Sequence, residues 1–305
     1  MIRNWPVPEE LNDERIDVAL ARLSEGSRAA SASLIDDGRV QLNGKVVSKS
    51  AKVVFGDVVE VDLPNPDLGE PEPTVELPIV FQDDDFVVID KPAGVAAHPS
   101  AGWSGPTVNG SLQAMGIVLT NYGPPERQGI VHRLDVGTSG LMVVTKSNAA
   151  YISLKDQFRN REVTKLYHTL VQGRLDPLSG TIDAPIDRHP TSSYRFAVMQ
   201  SGRASITHYD TLEALSYASL LEVHLETGRT HQIRVHMSAL RHPCCGDLTY
   251  GADPKLAARL KLDRQWLHAV RLGFTHPFSG NHVEFESPYA PELQVALDLA
   301  RDLSN

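Results

Sequence analysis

Apolar positions near the N-terminus change period twice. Ile16, Leu20 and Leu23 fall at i, i+4 and i+7, the stripe of an amphipathic helix over Arg15–Leu23. Ser27 is placed to cap a second helix carrying Ala30, Leu34 and Ile35, stopped by Gly38. The period then shortens. Arg39–Leu42, Asn43-Gly44 and Lys45–Val47 give a strong hairpin signal, and Asp57–Leu63 predicts a further strand. Together they predict a small helix–helix–hairpin domain over 1–66, near the lower size limit for independent folding. Periodicity then gives way to proline and acidic residues from Pro64 through Pro73, so 67–76 reads as a linker.

A larger domain is expected over 77–305. Apolar runs Pro78–Phe81 and Phe86–Ile89 flank Asp83-Asp84-Asp85, a strand–turn–strand pattern. Leu141–Thr145 and Lys165–Val171 read as strands, separated by a helix running from an Asn148 cap to about Phe158. Leu221, Val223 and Leu225 alternate within Ser219–Glu226, predicting a half-buried strand. Ile233, Met237 and Leu240 predict a helix over Thr230–Leu240. Strands and helices mix without regular alternation, so the fold class is α+β.

Composition narrows the function classes. Of 305 residues, 41% are hydrophobic, enough for a sizeable core, yet no apolar run approaches the ~18 residues of a membrane span. Met1 to Pro6 lacks an apolar stretch ending in a cleavage site, so export is not expected. The only cysteines, Cys244 and Cys245, are adjacent, which fits a reducing cytoplasm better than a disulfide framework. The net charge is −9, but its distribution matters more. Residues 1–66 carry 8 Lys+Arg against 11 Asp+Glu, and 67–90 carry 8 acids and no Lys or Arg. Residues 91–305 carry 21 Lys+Arg against 19 Asp+Glu, so a basic cleft there is allowed.

The densest chemistry lies between Gly129 and Val144. His132, Arg133, Asp135, Thr138 and Ser139 form a polar loop flanked by apolar residues, and Gly137 and Gly140 permit tight turns. Such a loop can present one carboxylate; an Asp in this setting more commonly caps its own turn. His132-Arg133-Leu134-Asp135 followed by Thr138-Ser139-Gly140 resembles the signature of the RluA-type pseudouridine synthases of large-subunit ribosomal RNA. Further matches occur in order over roughly 77–290. They are Lys91-Pro92-Ala93-Gly94 with His98-Pro99, Lys165-Leu166-Tyr167, Thr227 through His236, His242-Pro243, Gly246-Asp247, Tyr250-Gly251, Leu267-His268-Ala269 and His276-Pro277. Arg15-Ile16-Asp17, Ser27-Arg28, Leu34-Ile35, Gly38, Val40, Asn43-Gly44 and Gly56-Asp57 resemble the alpha-L RNA-binding motif. The combination is most similar to the family's synthase D branch.

The resemblance implies a mixed, largely antiparallel sheet flanked by helices, preceded by a small α+β RNA-binding domain. It implies isomerisation of uridine to pseudouridine: the N-glycosidic bond breaks, the base turns, and carbon 5 is rejoined to the sugar. No electron or phosphate is transferred, so neither metal, nucleotide nor other cofactor is expected. Asp135 is then the catalytic carboxylate, as nucleophile or as a base removing a ribose proton, and the sequence leaves both open. Arg234 pairs with it, balancing its charge in a site emptied of water. Tyr167 stacks on the base. Arg133 opens the RNA by filling the gap a flipped nucleotide leaves, with Arg229 and His132 as further RNA-contact or positioning residues. In the small domain Arg28, Arg39 and Lys45, with Arg22 and Lys49, are the basic candidates. The partner is large-subunit ribosomal RNA or a ribosomal precursor particle, with no membrane involved. A non-catalytic RNA-binding or assembly factor on a synthase scaffold is the alternative. A glycosidase would need a second catalytic carboxylate that no motif singles out. His242-Pro243-Cys244-Cys245 is a poor metal site, since adjacent cysteines do not share a tetrahedral ion well.

Overall fold

Residues 2–24, 28–62, 73–100, 102–192 and 194–304 are described in a computed structural model. They fall into two units, Met1–Glu72 and Pro73–Asn305. Ser27 and 67–72, most of the expected linker, lie outside the described residues, and 73–78 forms neither helix nor strand.

In the first unit β1 (Ile2–Pro6), α1 (Ile16–Leu23), α2 (Arg28–Asp36), β2 (Val40–Leu42), β3 (Lys45–Val46) and β4 (Val58–Asp62) follow in order. The sheet runs β1-β4-β2-β3, all antiparallel. Asn43 and Gly44 turn the hairpin with φ of 51° and 76°, the left-handed pair such turns require. Ile16 and Leu20 of α1 and Ile35 of α2 are buried against Val40, Val59 and Val61 of the sheet. β1 escaped the periodicity reading: its short sequence shows no clean alternation, and its ladder to β4 is what makes it a strand. Asp17, facing inward on α1, is held by Arg15 at 3.0 Å and Arg28 at 2.9 Å. The Arg15 bond, then that of Arg28, overcomes burial and lowers its pKa to about 2.

The second unit is built on a nine-stranded sheet. Its elements are β5 (Ile79–Gln82), β6 (Phe86–Lys91), α3 (Val108–Ala114), β7 (Ser139–Thr145), α4 (Asn148–Asn160), β8 (Thr164–Gln172) and β9 (Ser179–Asp183). There follow a two-stranded arm, β10 (Ile186–Arg188) with β11 (Phe196–Val198), then β12 (Ile206–Ala214), β13 (Ala218–Leu225) and α5 (Gln232–Ala239). The chain ends in α6 (Pro254–Arg259), β14 (Leu267–Thr275), β15 (His282–Glu286) and α7 (Pro291–Asp302). The strand order is β5-β6-β7-β14-β8-β13-β12-β9, with β15 also on β14; β7 and β14 are parallel and the other pairs antiparallel.

Period-2 alternation sorts the strands between two faces. Val87, Ile89, Met142, Val144, Tyr167 and Val223 join Leu112 of α3 and Ile233 and Met237 of α5 in one core. Phe86, Val88, Leu141, Val143 and Phe274 pack with Tyr151 and Leu154 of α4 on the other. Two helix boundaries differ from the sequence reading. The cap of α4 is Ser147, whose Oγ accepts the Ala150 N–H at 3.1 Å, because Asn148 is occupied by the Thr120 hydroxyl. α5 starts at Gln232 rather than Thr230, because His231 takes a left-handed φ of 57° and the Gln232 side chain turns back to Thr227 and the Arg229 N–H. Among the described residues no helix is long and apolar enough to cross a membrane.

Candidate active site

Asp135 sits in the loop entering β7, and the loop's shape is fixed by donors aimed at its own carbonyls and hydroxyls. The Thr138 N–H reaches the Asp135 carbonyl at 3.0 Å, and the Gly94 N–H the Val136 carbonyl at 2.8 Å. Lys91, wholly buried at the end of β6, donates to Val95 (2.8 Å), Pro92 (2.9 Å) and Val136 (3.4 Å). Burial, partly opposed by the Asp135 charge, pushes the Lys91 pKa down to about 7. From the other side Arg264 donates to the Gly137 carbonyl and to Ser139 Oγ, both at 3.0 Å, and Gln265 to Thr138 Oγ1 at 3.2 Å. Gly140 permits β7 to approach β14: its φ is 112°, and a Cβ there would lie 2.4 Å from the Ala269 carbonyl oxygen. The ladders then set Gly140, Ala269 and Tyr167 in one row across β7, β14 and β8.

Opposite the loop, α5 supplies Arg234. Its Nη1 donates to Asp135 Oδ2 at 3.2 Å, while Nε and Nη2 grip Asp247 at 2.7 and 3.0 Å. The guanidinium also lies over the Tyr250 ring, 4.9 Å from its centre. Burial would lower the Arg234 pKa, but the bond and charge of Asp247, then of Asp135, outweigh it and raise it above its ordinary value. The tighter partner of Arg234 is therefore Asp247, which the sequence reading quoted within a motif but gave no role. Among the described residues no hydrogen bond or ion pair reaches Asp135 Oδ1. Tyr167 lines the same cavity with Asp135, Thr138, Arg133, Arg229, His231 and Arg234. Burial, reinforced by the Asp135 charge, raises its pKa, so it stays a neutral phenol at pH 7.

A cleft of about 490 Å³ adjoins this cavity and shares Arg133, Tyr167 and Arg229 with it. Arg127, Lys155, Arg159, Arg161 and Lys165 line the remainder, and Glu226 is the one acid of the lining, already paired with Arg161 at 2.9 Å. Burial lowers the pKa of Lys165 and Lys155, with Arg161 and Arg127 respectively adding to it. Arg159 is paired with Asp156 at 2.8 Å, so the cations of the lining still outnumber the acids that hold them, and the cleft is positively charged.

The other residues singled out in the sequence fall in different places. Arg133 is exposed at the mouth; Arg229 donates to the Ala204 carbonyl at 3.2 Å beside the cleft. His132 lines the cleft but serves first as a strut: its ring stacks on Phe158 at 4.6 Å, and Nε2 accepts the Val143 N–H at 3.0 Å. Burial lowers its pKa to about 3, so it brings no charge to a phosphate. Arg28, Arg39 and Lys45 belong to the first unit; Arg28 Nε is spent on Asp17, Arg39 Nη1 reaches the Asp62 carbonyl at 3.4 Å, and Lys45 is exposed. Lys91 was visible only as part of a motif, and Arg264 carried no signal, since the Gly137 carbonyl and Ser139 hydroxyl it holds lie 127 and 125 residues away in sequence. Cys244 and Cys245 are fully buried, and among the described residues no group of three His, Cys, Asp or Glu side chains is placed to hold a metal.

Comparison with known proteins shows the family. The RNA pseudouridylate synthase family model matches 85–239, and the S4 domain model matches 14–59. An uncharacterised RNA pseudouridine synthase of Mycobacterium bovis is 58% identical over 302 residues, 98% of each chain. Ribosomal large subunit pseudouridine synthase D of Escherichia coli K12 is 38% identical over 311 residues, 97% of this chain and 93% of that one. The solved human RNA pseudouridylate synthase domain containing 1 is 30% identical with a TM-score of 0.58, over 75% of this chain and 90% of that one. The chain belongs to the RNA pseudouridine synthase family, in its RluA-type group, with an S4 domain at its N-terminus. It is an isomerase acting on RNA uridines.

Proposed function

We propose that this enzyme isomerises specific uridines of large-subunit ribosomal RNA, with Asp135 as the reacting carboxylate and without a cofactor. The observation that carries the reading is the Asp135 carboxylate: Oδ2 is tied to Arg234 at 3.2 Å, no described residue bonds to Oδ1, and the carboxylate lines one cavity with Tyr167 that adjoins a basic cleft. A carboxylate acting on the ribose, whether at C1′ as nucleophile or at C2′ as base, needs one oxygen free and its charge balanced by a fixed partner. The bond between C1′ and N1 breaks, N1 gains a proton, the base turns, and a new bond from C1′ to C5 displaces the C5 proton. Tyr167 supplies a flat, neutral surface for the detached base, and Arg133 fills the space the flipped nucleotide leaves. Arg229 and the cleft cations take the flanking phosphates, and Arg39 and Lys45 of the S4 domain add further contacts, with Arg28 held in part by Asp17. Large-subunit RNA is chosen on the names of relatives such as synthase D of Escherichia coli, similar along nearly the whole chain. Pseudouridine mapping by base adduct and primer extension on unmodified large- and small-subunit RNA, without added metal or nucleotide, tests it. New stops confined to the large-subunit RNA are expected; stops confined to the small-subunit RNA would overturn the substrate assignment.

A further inference from the structure

His231 stands beside the reacting carboxylate at the start of α5. Its φ of 57° is left-handed, a conformation histidine adopts more readily than most residues with a side chain, and it sets the ring between Asp135 and Tyr250. Its Nε2 lies 3.9 Å from Asp135 Oδ2, the oxygen that also takes Arg234 Nη1. Its Nδ1 lies 2.7 Å from the Tyr250 hydroxyl.

These contacts, with the Asp135 carboxylate on the Nε2 side, favour one position for the imidazole proton. The Tyr250 oxygen accepts the Phe196 N–H at 3.0 Å, so its own proton is free to go to His231 Nδ1. A neutral imidazole that accepts at Nδ1 carries its proton on Nε2. Burial lowers the His231 pKa, the charge of Asp135 opposing and that of Arg234 reinforcing, so the ring is neutral at pH 7. The other tautomer would turn a lone pair toward a carboxylate. The groups facing the ring are Asp135 from the motif loop, Arg234 from its own helix, Asp247, Arg133, Tyr250, and Phe196 from the arm.

We infer that His231 is a positioning residue for Asp135. Its Nε2–H, oriented by the Tyr250 hydroxyl, faces Oδ2 across 3.9 Å and closes to a hydrogen bond when RNA fills the site; with Arg234 it then holds that oxygen so that Oδ1 performs the reaction. Phe196 ties this chain to the β10–β11 arm, so seating of the arm and aim of the carboxylate share one hydrogen-bond line. The inference rests on the functional reading above.

The test compares His231→Gln, which keeps an N–H donor near the Nε2 position, with His231→Leu, which keeps the bulk and the same backbone penalty. Turnover is read as tritium released from RNA carrying 5-tritiated uridine. A hydrogen bond to a charged group, closed in the RNA complex, implies at least about a tenfold lower kcat in His231→Leu, with KM unchanged and most activity kept in His231→Gln. Tyr250→Phe is expected to lower kcat in the wild-type background and to add little to His231→Leu. Equal losses in the Gln and Leu variants, or additive losses with Tyr250→Phe, would overturn the inference. A readout independent of substrate is the two-bond proton–nitrogen spectrum of the histidine-labelled full chain, with His231 identified by its loss in His231→Gln. An Nε2-protonated ring that becomes a tautomer mixture in Tyr250→Phe supports the inference; an Nδ1-protonated ring refutes it. Absence of tritium release from the wild type would instead overturn the functional reading, and the spectrum would still decide the orientation of His231.

Discussion

Replacing Asp247 by Asn keeps its volume but removes the anchor of Arg234. The guanidinium gives Asp247 two charge-assisted hydrogen bonds, at 2.7 and 3.0 Å, and gives Asp135 one, at 3.2 Å. An Asn oxygen accepts from one N–H, while its amide group faces the other donor to donor. One hydrogen bond to a charged group is thus lost, about 1.5–3 kcal/mol, and the retained one weakens to a neutral acceptor. With Asp247 2% exposed, solvent offers no replacement, so the expected loss is about 2–4 kcal/mol. Asp135→Asn should behave differently. Its side chain is 14% exposed, its single bond is longer, and an Asn oxygen still accepts it, so a change within about 1 kcal/mol is expected. Both variants are measured by urea unfolding in a Trp5→Phe background, where the remaining tryptophans of the three, Trp103 and Trp266, belong to the synthase unit. Equal losses for the two variants would refute the claim that Arg234 is anchored by Asp247 and only lent to Asp135.

Gly140→Ala should cost about 2–6 kcal/mol and abolish turnover, because the Cβ meets the Ala269 backbone at 2.4 Å and the conformation is left-handed; an unchanged unfolding midpoint would contradict the row through Tyr167. His268 is 1% exposed and burial lowers its pKa to about 4, so the unfolded chain binds a proton between about pH 4 and 6.5 that the native one does not. Stability should therefore fall as pH drops through that window, by up to about 1.4 kcal/mol per pH unit, with His132, lowered to about 3, adding in the same direction; a flat profile would show both rings native and protonated. Lys155→Gln with Arg159→Gln, two phosphate contacts removed, should shallow the salt dependence of RNA binding by about 1.4–1.8 units of slope while kcat holds; an unchanged slope would remove α4 from the RNA path. Thiol reagents should leave Cys244 and Cys245 unmodified in the native protein, since both are fully buried and burial raises the Cys244 pKa to about 12; rapid labelling would contradict that packing.

Local signals made much of the fold readable, and what escaped them was non-local. Ile16, Leu20 and Leu23 announced α1, and Asn43-Gly44 the hairpin, because each depends on neighbours a few residues away. β1 could not be seen, because Ile2–Pro6 becomes a strand by pairing with residues 58–62. The site divides along the same line. Asp135 stood out through a dense motif, whereas the roles of Asp247 and Arg264 come from where the fold carries them: against a guanidinium, or against a carbonyl and a hydroxyl of a loop far away in sequence. His132 lines the cleft as an RNA-contact or positioning residue would, and its stacking on Phe158 and bond to the Val143 N–H, both invisible in sequence, give it a supporting role as well.

The most direct test of the central claim is a single-turnover experiment on large-subunit RNA carrying 5-tritiated uridine, with wild-type protein and Asp135→Asn at equal concentration. Joining C1′ to C5 expels the C5 hydrogen, so each isomerisation releases one tritium to water. The wild type is expected to release tritium without added metal or nucleotide, and Asp135→Asn to release none while binding the RNA as tightly. Release by Asp135→Asn at the wild-type rate would show that another group carries the reaction.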